Sequence, residues 1–195
     1  MSNPNQNQNQ NHKFNIIIDP HDGAQNKKIK IIIISTGGTI EKSYDENDGQ
    51  LINRFSVVED RVLERLRLPY TEVDVRPILA KDSLFMDEHD REVLSKAILQ
   101  FMEEGHPIVV LHGTDTMDKT LRYCVDHIQN PKVAIIFTGA MRPLEFEDTD
   151  GIQNIIEAMM GCKLLAPGLY LSFHNRIFSG ASFKKDRKHL TFEGV

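Results

Sequence analysis

The sequence has no tryptophan, only two cysteines and no excess of positive charge. Two thiols, Cys124 and Cys162, cannot build a disulfide framework, so the core must hold the fold, and a reducing compartment is expected. Lysine and arginine number 23 against 28 acidic residues, a net charge of −5. That balance leaves no electrostatic footprint for nucleic acid. The longest apolar runs, such as residues 31–34, fall far short of the about 20 residues that cross a bilayer. The N-terminus also lacks the basic-then-apolar order of a secretory signal. These absences leave a soluble, cytoplasmic protein without nucleic-acid or membrane partners, and 195 residues suffice for one domain with a sizeable core.

Residues 1–27 read as a largely disordered tail. Residues 2–13 nearly alternate Asn and Gln, with no apolar side chain beyond Pro4; such a segment cannot offset the entropy of its own ordering. Residues 14–18 supply a short edge strand before the turn-rich 19–23. Residues 28–195 then form a single domain. Residues 29–34 are a β-branched run typical of a strand buried on both faces. Ser56 and Glu59 have capping-box spacing before Val58, Val62 and Leu66 on one helical face. Residues 73–79 predict a strand that Pro77 places at an edge. Asp87 caps a helix whose inner face is Val93, Leu94, Ala97, Ile98 and Phe101, and Gly105 and Pro107 stop it.

The alternation continues. Strands are expected over 108–111, 133–137 and 169–173. Between them lie a helix carrying Leu121, Cys124, Val125 and Ile128, and another over 151–160 with Ile152, Ile155, Ile156 and Met159 inward. Strands alternating with amphipathic helices imply right-handed crossovers. The expected fold is a Rossmann-like, doubly wound α/β domain, its mostly parallel sheet covered by helices on both faces.

Ligands bind such sheets beyond the carboxyl ends of the strands. Three of these ends are rich in small and hydroxyl residues: Ser35-Thr36-Gly37-Gly38-Thr39-Ile40, His112-Gly113-Thr114-Asp115-Thr116 and Thr138-Gly139-Ala140-Met141-Arg142-Pro143. Each taken singly reads equally well as turn and capping chemistry; three on neighbouring strands point to a site. Gly37-Gly38 matches neither GxGxxG nor a phosphate-binding loop, which disfavours a nucleotide. His112 reads as a buried, hydrogen-bonded ring, and no metal-ligand spacing is present. Met141, Met159 and Met160 read as core or wall, Arg142 as the partner of an acid near the site or across a subunit contact, and residues 145–150 as a solvated acidic loop.

The first two motifs, with Met117, resemble the bacterial-type L-asparaginase family, and Gly139-Ala140-Met141-Arg142-Pro143 resembles a third motif of that family. The resemblance runs from about residue 29 to 195. It implies hydrolysis of a side-chain amide: L-asparagine, or a related small amide, and water give the acid and ammonia, with no cofactor. It makes Thr39 the nucleophile that forms an acyl-enzyme, and Thr114 with Asp115 the second threonine and its acidic neighbour. Lys185 best matches the lysine that completes the group, with Lys184 as alternative. Tyr44 matches the tyrosine of the mobile loop, and Ser83 the serine that holds the substrate carboxylate. Gly38, Gly113 and Ala140 line the substrate position, and backbone N–H groups at Thr114 or near Ala140 would face the developing oxyanion.

The chain also departs from the pattern. The family's second, smaller domain is expected to be absent, Leu84 stands where a glutamine contacts substrate, and Tyr44 follows Thr39 by only five residues. Asp45-Glu46-Asn47-Asp48-Gly49 suits a lid. A homodimer or higher oligomer is expected to wall the pocket. The alternative to an enzyme is a catalytically weak or inactive binding or sensing protein that keeps the pocket.

Overall fold

The computed structural model describes residues 28–53 and 57–195; the tail, the edge strand expected over 14–18 and the Ser56 cap lie outside them. The chain runs through β1 (Ile29–Ser35), β2 (Lys42–Asp45), β3 (Gln50–Asn53), α1 (Val57–Arg61) and β4 (Thr71–Pro77). There follow α2 (Glu88–Met102), β5 (Ile108–Leu111), α3 (Met117–His127), β6 (Ala134–Thr138) and α4 (Gly151–Leu164). The last elements are β7 (Gly168–Phe173), β8 (Arg176–Ser179), β9 (Phe183–Asp186) and β10 (Thr191–Gly194).

Six strands form one sheet in the order β4-β1-β5-β6-β7-β8. All neighbours pair parallel except β7 and β8. The isoleucine run of β1 divides by the period of two: Ile31 and Ile33 enter the core under α1 and α4, Ile32 and Ile34 the core under α2 and α3. This two-sided burial explains why the run is unbroken, and it gives the doubly wound α/β architecture expected. Pro77 ends the edge strand β4, where its missing N–H costs no ladder bond. Asp87 caps α2 through a reciprocal capping box with Asp90.

Three helical expectations need correction. The helix over 57–66 is one short turn, α1, followed by a 3-10 turn at Leu63–Arg65, although Val58 and Val62 are buried. On α4 the inward face is Ile155, Ala158, Met159 and Cys162, while Ile156 is 42% and Met160 53% exposed. Ile156 lies one residue, about 100°, round from that face. Val125 on α3 is likewise exposed, Leu121 and Cys124 taking the inner face.

Two hairpins stand outside the main sheet, β2–β3 and β9–β10. The second is seated by Phe183 and Phe192, which are buried and meet edge-to-face at 5.4 Å, with Phe173 of β7 against Phe192 at 4.9 Å. Truncating a buried phenylalanine of this kind costs about 3–5 kcal/mol. The hairpin is thereby held over the carboxyl ends of the parallel strands.

Candidate active site

The chain order reverses around β1: β4 lies on one side and β5 on the other. A crevice opens beyond their carboxyl ends at such a switch point. Two glycines let the chain turn there. Gly37 and Gly38 have φ of +89° and +87°, and a Cβ on Gly38 would sit 2.5 Å from the Gly113 Cα. A Cβ on Gly113 would in turn meet the Ser83 Oγ at 2.5 Å. The loops after β1, β4 and β5 therefore touch backbone to backbone. Hydrogen bonds fix the contact: Lys81 N–H donates to Thr36 O at 3.1 Å, Thr36 Oγ1 to Leu111 O at 2.8 Å, and Thr116 Oγ1 to Ser83 O at 2.8 Å.

Thr39 opens a 3-10 turn, Thr39–Glu41, and is half-buried at the crevice. Ser83 is buried, and its hydroxyl has no hydrogen-bond partner among the described residues. Thr114 is buried beside Gly113. Lys185 arrives from β9, its Nζ donating to Thr114 Oγ1 at 2.7 Å and to Asp115 Oδ1 at 3.0 Å. Arg187 Nη1 reaches the same Asp115 oxygen at 3.0 Å. Alternation along β9 turns Lys184 the other way, to Glu193 at 3.2 Å, so Lys185 alone of the two joins the cluster.

Asp82 stands close enough for the Lys185 charge to act on it and binds Lys42 Nζ at 2.7 Å. Burial pushes its carboxyl up, but the Lys42 hydrogen bond, the Leu84 N–H and the two lysine charges outweigh burial, and the net shift is downward. His112 is fully buried, and its ring Nδ1–H donates to Gly113 O at 2.7 Å. Burial lowers its pKa to about 4, which keeps the ring neutral.

Ala140 is buried on the loop after β6. That loop is tied down by Asp150, whose carboxylate accepts the N–H groups of Met141 and Arg142 at 3.0 Å each. Asp150 also accepts from Asn154 Nδ2 at 3.0 Å and faces His174 Nε2 at 2.9 Å. Residues 145–150 are therefore not a merely solvated acidic loop. Arg142 pairs with Asp148.

Tyr44 is not brought into this cluster. It lies on β2, 52% exposed, its N–H donating to Glu145 Oε2 at 2.5 Å and its hydroxyl turned toward Gly49 of its own hairpin. No hydrogen bond joins it to Thr39, Thr114 or Lys185 among the described residues. Sequence reasoning missed Glu41, Arg187 and the Lys42–Asp82 pair. For Glu41 the available signal was an acid directly after an apolar residue in a glycine turn, too short a pattern to have a period. No group of three His, Cys, Asp or Glu side chains able to hold a metal occurs among the described residues, and no described helix is long and apolar enough to cross a membrane.

Comparison with known proteins meets this geometry. Residues 30–191 match the family model for the asparaginase N-terminal domain. The chain is 27% identical over 160 residues to the L-asparaginase of Thermococcus kodakarensis, covering 80% of this chain and 48% of that protein. It is 30% identical over 159 residues to a glutamyl-tRNA(Gln) amidotransferase subunit of Methanococcus maripaludis, covering 80% of this chain and 38% of that one. The solved thermostable L-asparaginase from Thermococcus kodakarensis superposes with a TM-score of 0.79 at 26% identity, over 86% of this chain and 51% of that chain. The chain thus spans about half the length, or less, of these relatives. With the motifs on adjoining strand ends and the family model matching most of its length, the chain belongs to the asparaginase family, in the part that the N-terminal domain defines.

Proposed function

We propose that the protein is an amidohydrolase that splits the side-chain amide of L-asparagine, or a related small amide, into the acid and ammonia. The observation that carries this reading is the row Asp115–Lys185–Thr114, joined at 3.0 and 2.7 Å beyond the strand end next to the one that presents Thr39. A threonine hydroxyl is a weak nucleophile and needs a route for its proton. In the proposed sequence the Thr39 oxygen attacks the amide carbon while its proton passes along the Thr114–Lys185 row to the leaving nitrogen. Ammonia departs and leaves an ester on Thr39, and water then attacks that ester with the proton returned to Thr39. Backbone N–H groups at Thr114 or near Ala140 face the oxyanion; one such donor contributes about 3 kcal/mol. The Ser83 hydroxyl, buried and without a partner among the described residues, suits a substrate carboxylate, because binding would supply that partner. Gly38 and Gly113 allow the close approach, and Tyr44 would act when its hairpin closes over the site.

We place this activity in the cytoplasm, in a homodimer or higher oligomer whose second copy walls the pocket; a monomeric mass with full activity would refute that assembly. The chemistry is tested by ammonia release from L-asparagine, L-glutamine and other small amides, beside Thr39→Ala and Lys185→Ala. Turnover that both substitutions abolish supports the reading. A folded protein that binds aspartate and turns over no amide would make it a sensor instead.

A further inference from the structure

Glu41 is an acid placed where a solvated residue would be ordinary, yet it is only 2% exposed. No lysine, arginine or histidine pairs with it among the described residues. Its Oε2 instead accepts the Ser35 hydroxyl and, at 2.9 Å, the Gly37 N–H. Its own N–H donates to Gly38 O at 3.1 Å. Side chain and backbone of one residue thus close the turn from both ends, with Thr39 between the points of attachment.

The other end of this clasp is anchored by backbone hydrogen bonds. Ser35 is the last residue of β1, and its carbonyl accepts from Ile78 and Leu79 at 2.9 and 3.3 Å. Besides this clasp, the turn packs backbone to backbone on the loops after β4 and β5, and Ile40 is buried just beyond it. Gly37 and Gly38 carry no side chains to pack and have the widest backbone freedom of any residues. A buried carboxyl without a cation is costly, and burial raises its pKa, so the hydrogen bonds it makes here are what retain it. Lys42, the next residue, pins the outer side of the turn to Asp82 beside Ser83.

We infer that Glu41 is a positioning residue: it clasps the Gly37-Gly38 turn to the end of β1 and so sets where the Thr39 hydroxyl stands. The inference rests on the reading of Thr39 as nucleophile for its catalytic meaning, and on the hydrogen bonds alone for the clasp. What matters is an acceptor at the reach of a glutamate side chain. Gln offers an amide oxygen at that reach, whereas Asp keeps the charge and falls one methylene short.

The test compares Glu41→Gln, Glu41→Asp and Glu41→Ala with the full wild-type chain, by amide exchange at Gly37 and by kcat and KM for ammonia release. Glu41→Asp and Glu41→Ala are expected to speed Gly37 exchange about tenfold or more, with β6 amides unchanged. They should lower kcat about 100-fold with little change in KM, since small misplacements of reacting groups have effects of that order. Glu41→Gln should stay within about threefold of wild type in both readings, and it remains informative if the alanine variant does not fold. Unchanged Gly37 exchange in Glu41→Asp, or raised exchange with kcat intact, would overturn the inference. So would equal losses in the Gln and Asp variants. If the wild-type chain releases no ammonia from any amide, the proposed function fails, while the exchange comparison still upholds or overturns the clasp.

Discussion

Substituting Gly38 by alanine tests the close packing of the three loops. Two costs add. The backbone there has φ +87° and ψ −174°, a conformation that essentially only glycine occupies, and holding another residue in it costs about 1–3 kcal/mol. The new Cβ would also lie 2.5 Å from Gly113 Cα and 2.6 Å from Gly113 N, backbone atoms that cannot rotate away, for a further cost of about 1–3 kcal/mol. The sum is about 4 kcal/mol, a large part of the total stability of an ordinary domain. At about 2–4 °C per kcal/mol for a chain of this size, Tm should fall by about 12 °C. Gly105→Ala is the internal control. Its φ is +76°, but none of the described residues lies within 4 Å of its added Cβ, so it bears backbone strain alone. That strain is about 1–2 kcal/mol, and Tm should fall by about 4 °C. Both melting curves can be read by circular dichroism in one buffer. Equal losses in the two variants would refute the steric argument and leave only the dihedral one.

His112 makes stability depend on acid. Its folded pKa is about 4 against the ordinary 6.5, so the stability from burying it neutral is complete above pH 6.5 and is lost as pH falls through about 4. The full span is about 3 kcal/mol, and denaturant titrations of His112→Gln should show a flatter slope across that window; an unchanged slope would count against it. Ser83→Ala removes a buried hydroxyl that has no partner among the described residues, so Tm should move by less than about 2 °C while KM for the proposed amide rises about tenfold; a large Tm loss would mean that the hydroxyl is structural. Burial pushes the thiols of Cys124 and Cys162 up to about 12, so native protein at pH 8 should resist iodoacetamide and denatured protein should react at both; rapid native labelling would refute their burial.

The parallel sheet was legible because its strands are long apolar runs separated by periodic helices. Residues 29–34 and 108–111 have one interpretation that satisfies both faces, and the structure gives it to them. The hairpins were not legible. Lys42–Asp45, Phe183–Asp186 and Thr191–Gly194 are four-residue strands rich in charge, held by contacts with distant chain rather than by any pattern of their own. The same division runs through the site. Thr39, Thr114 and Asp115 lie in recognisable glycine-hydroxyl strand ends. Separating Lys185 from Lys184 needed the register of β9 against β10, where Lys185 faces Phe192 and Lys184 faces Glu193. Glu41, buried, and Asp150, half-buried, escaped because such acids are identified by their donors, and those are invisible until the chain is folded.

The lysine at the cluster is borne by a two-stranded sheet that shares no strand with the main one. Such a ribbon is marginal by itself and depends on its seat of aromatic rings. On warming, it can lift as a unit while the six-stranded sheet and its helices stay intact. The cluster would then come apart before the fold does, at a temperature set by how firmly Phe183 and Phe192 hold to the core that they share with Ile32 and Ile34.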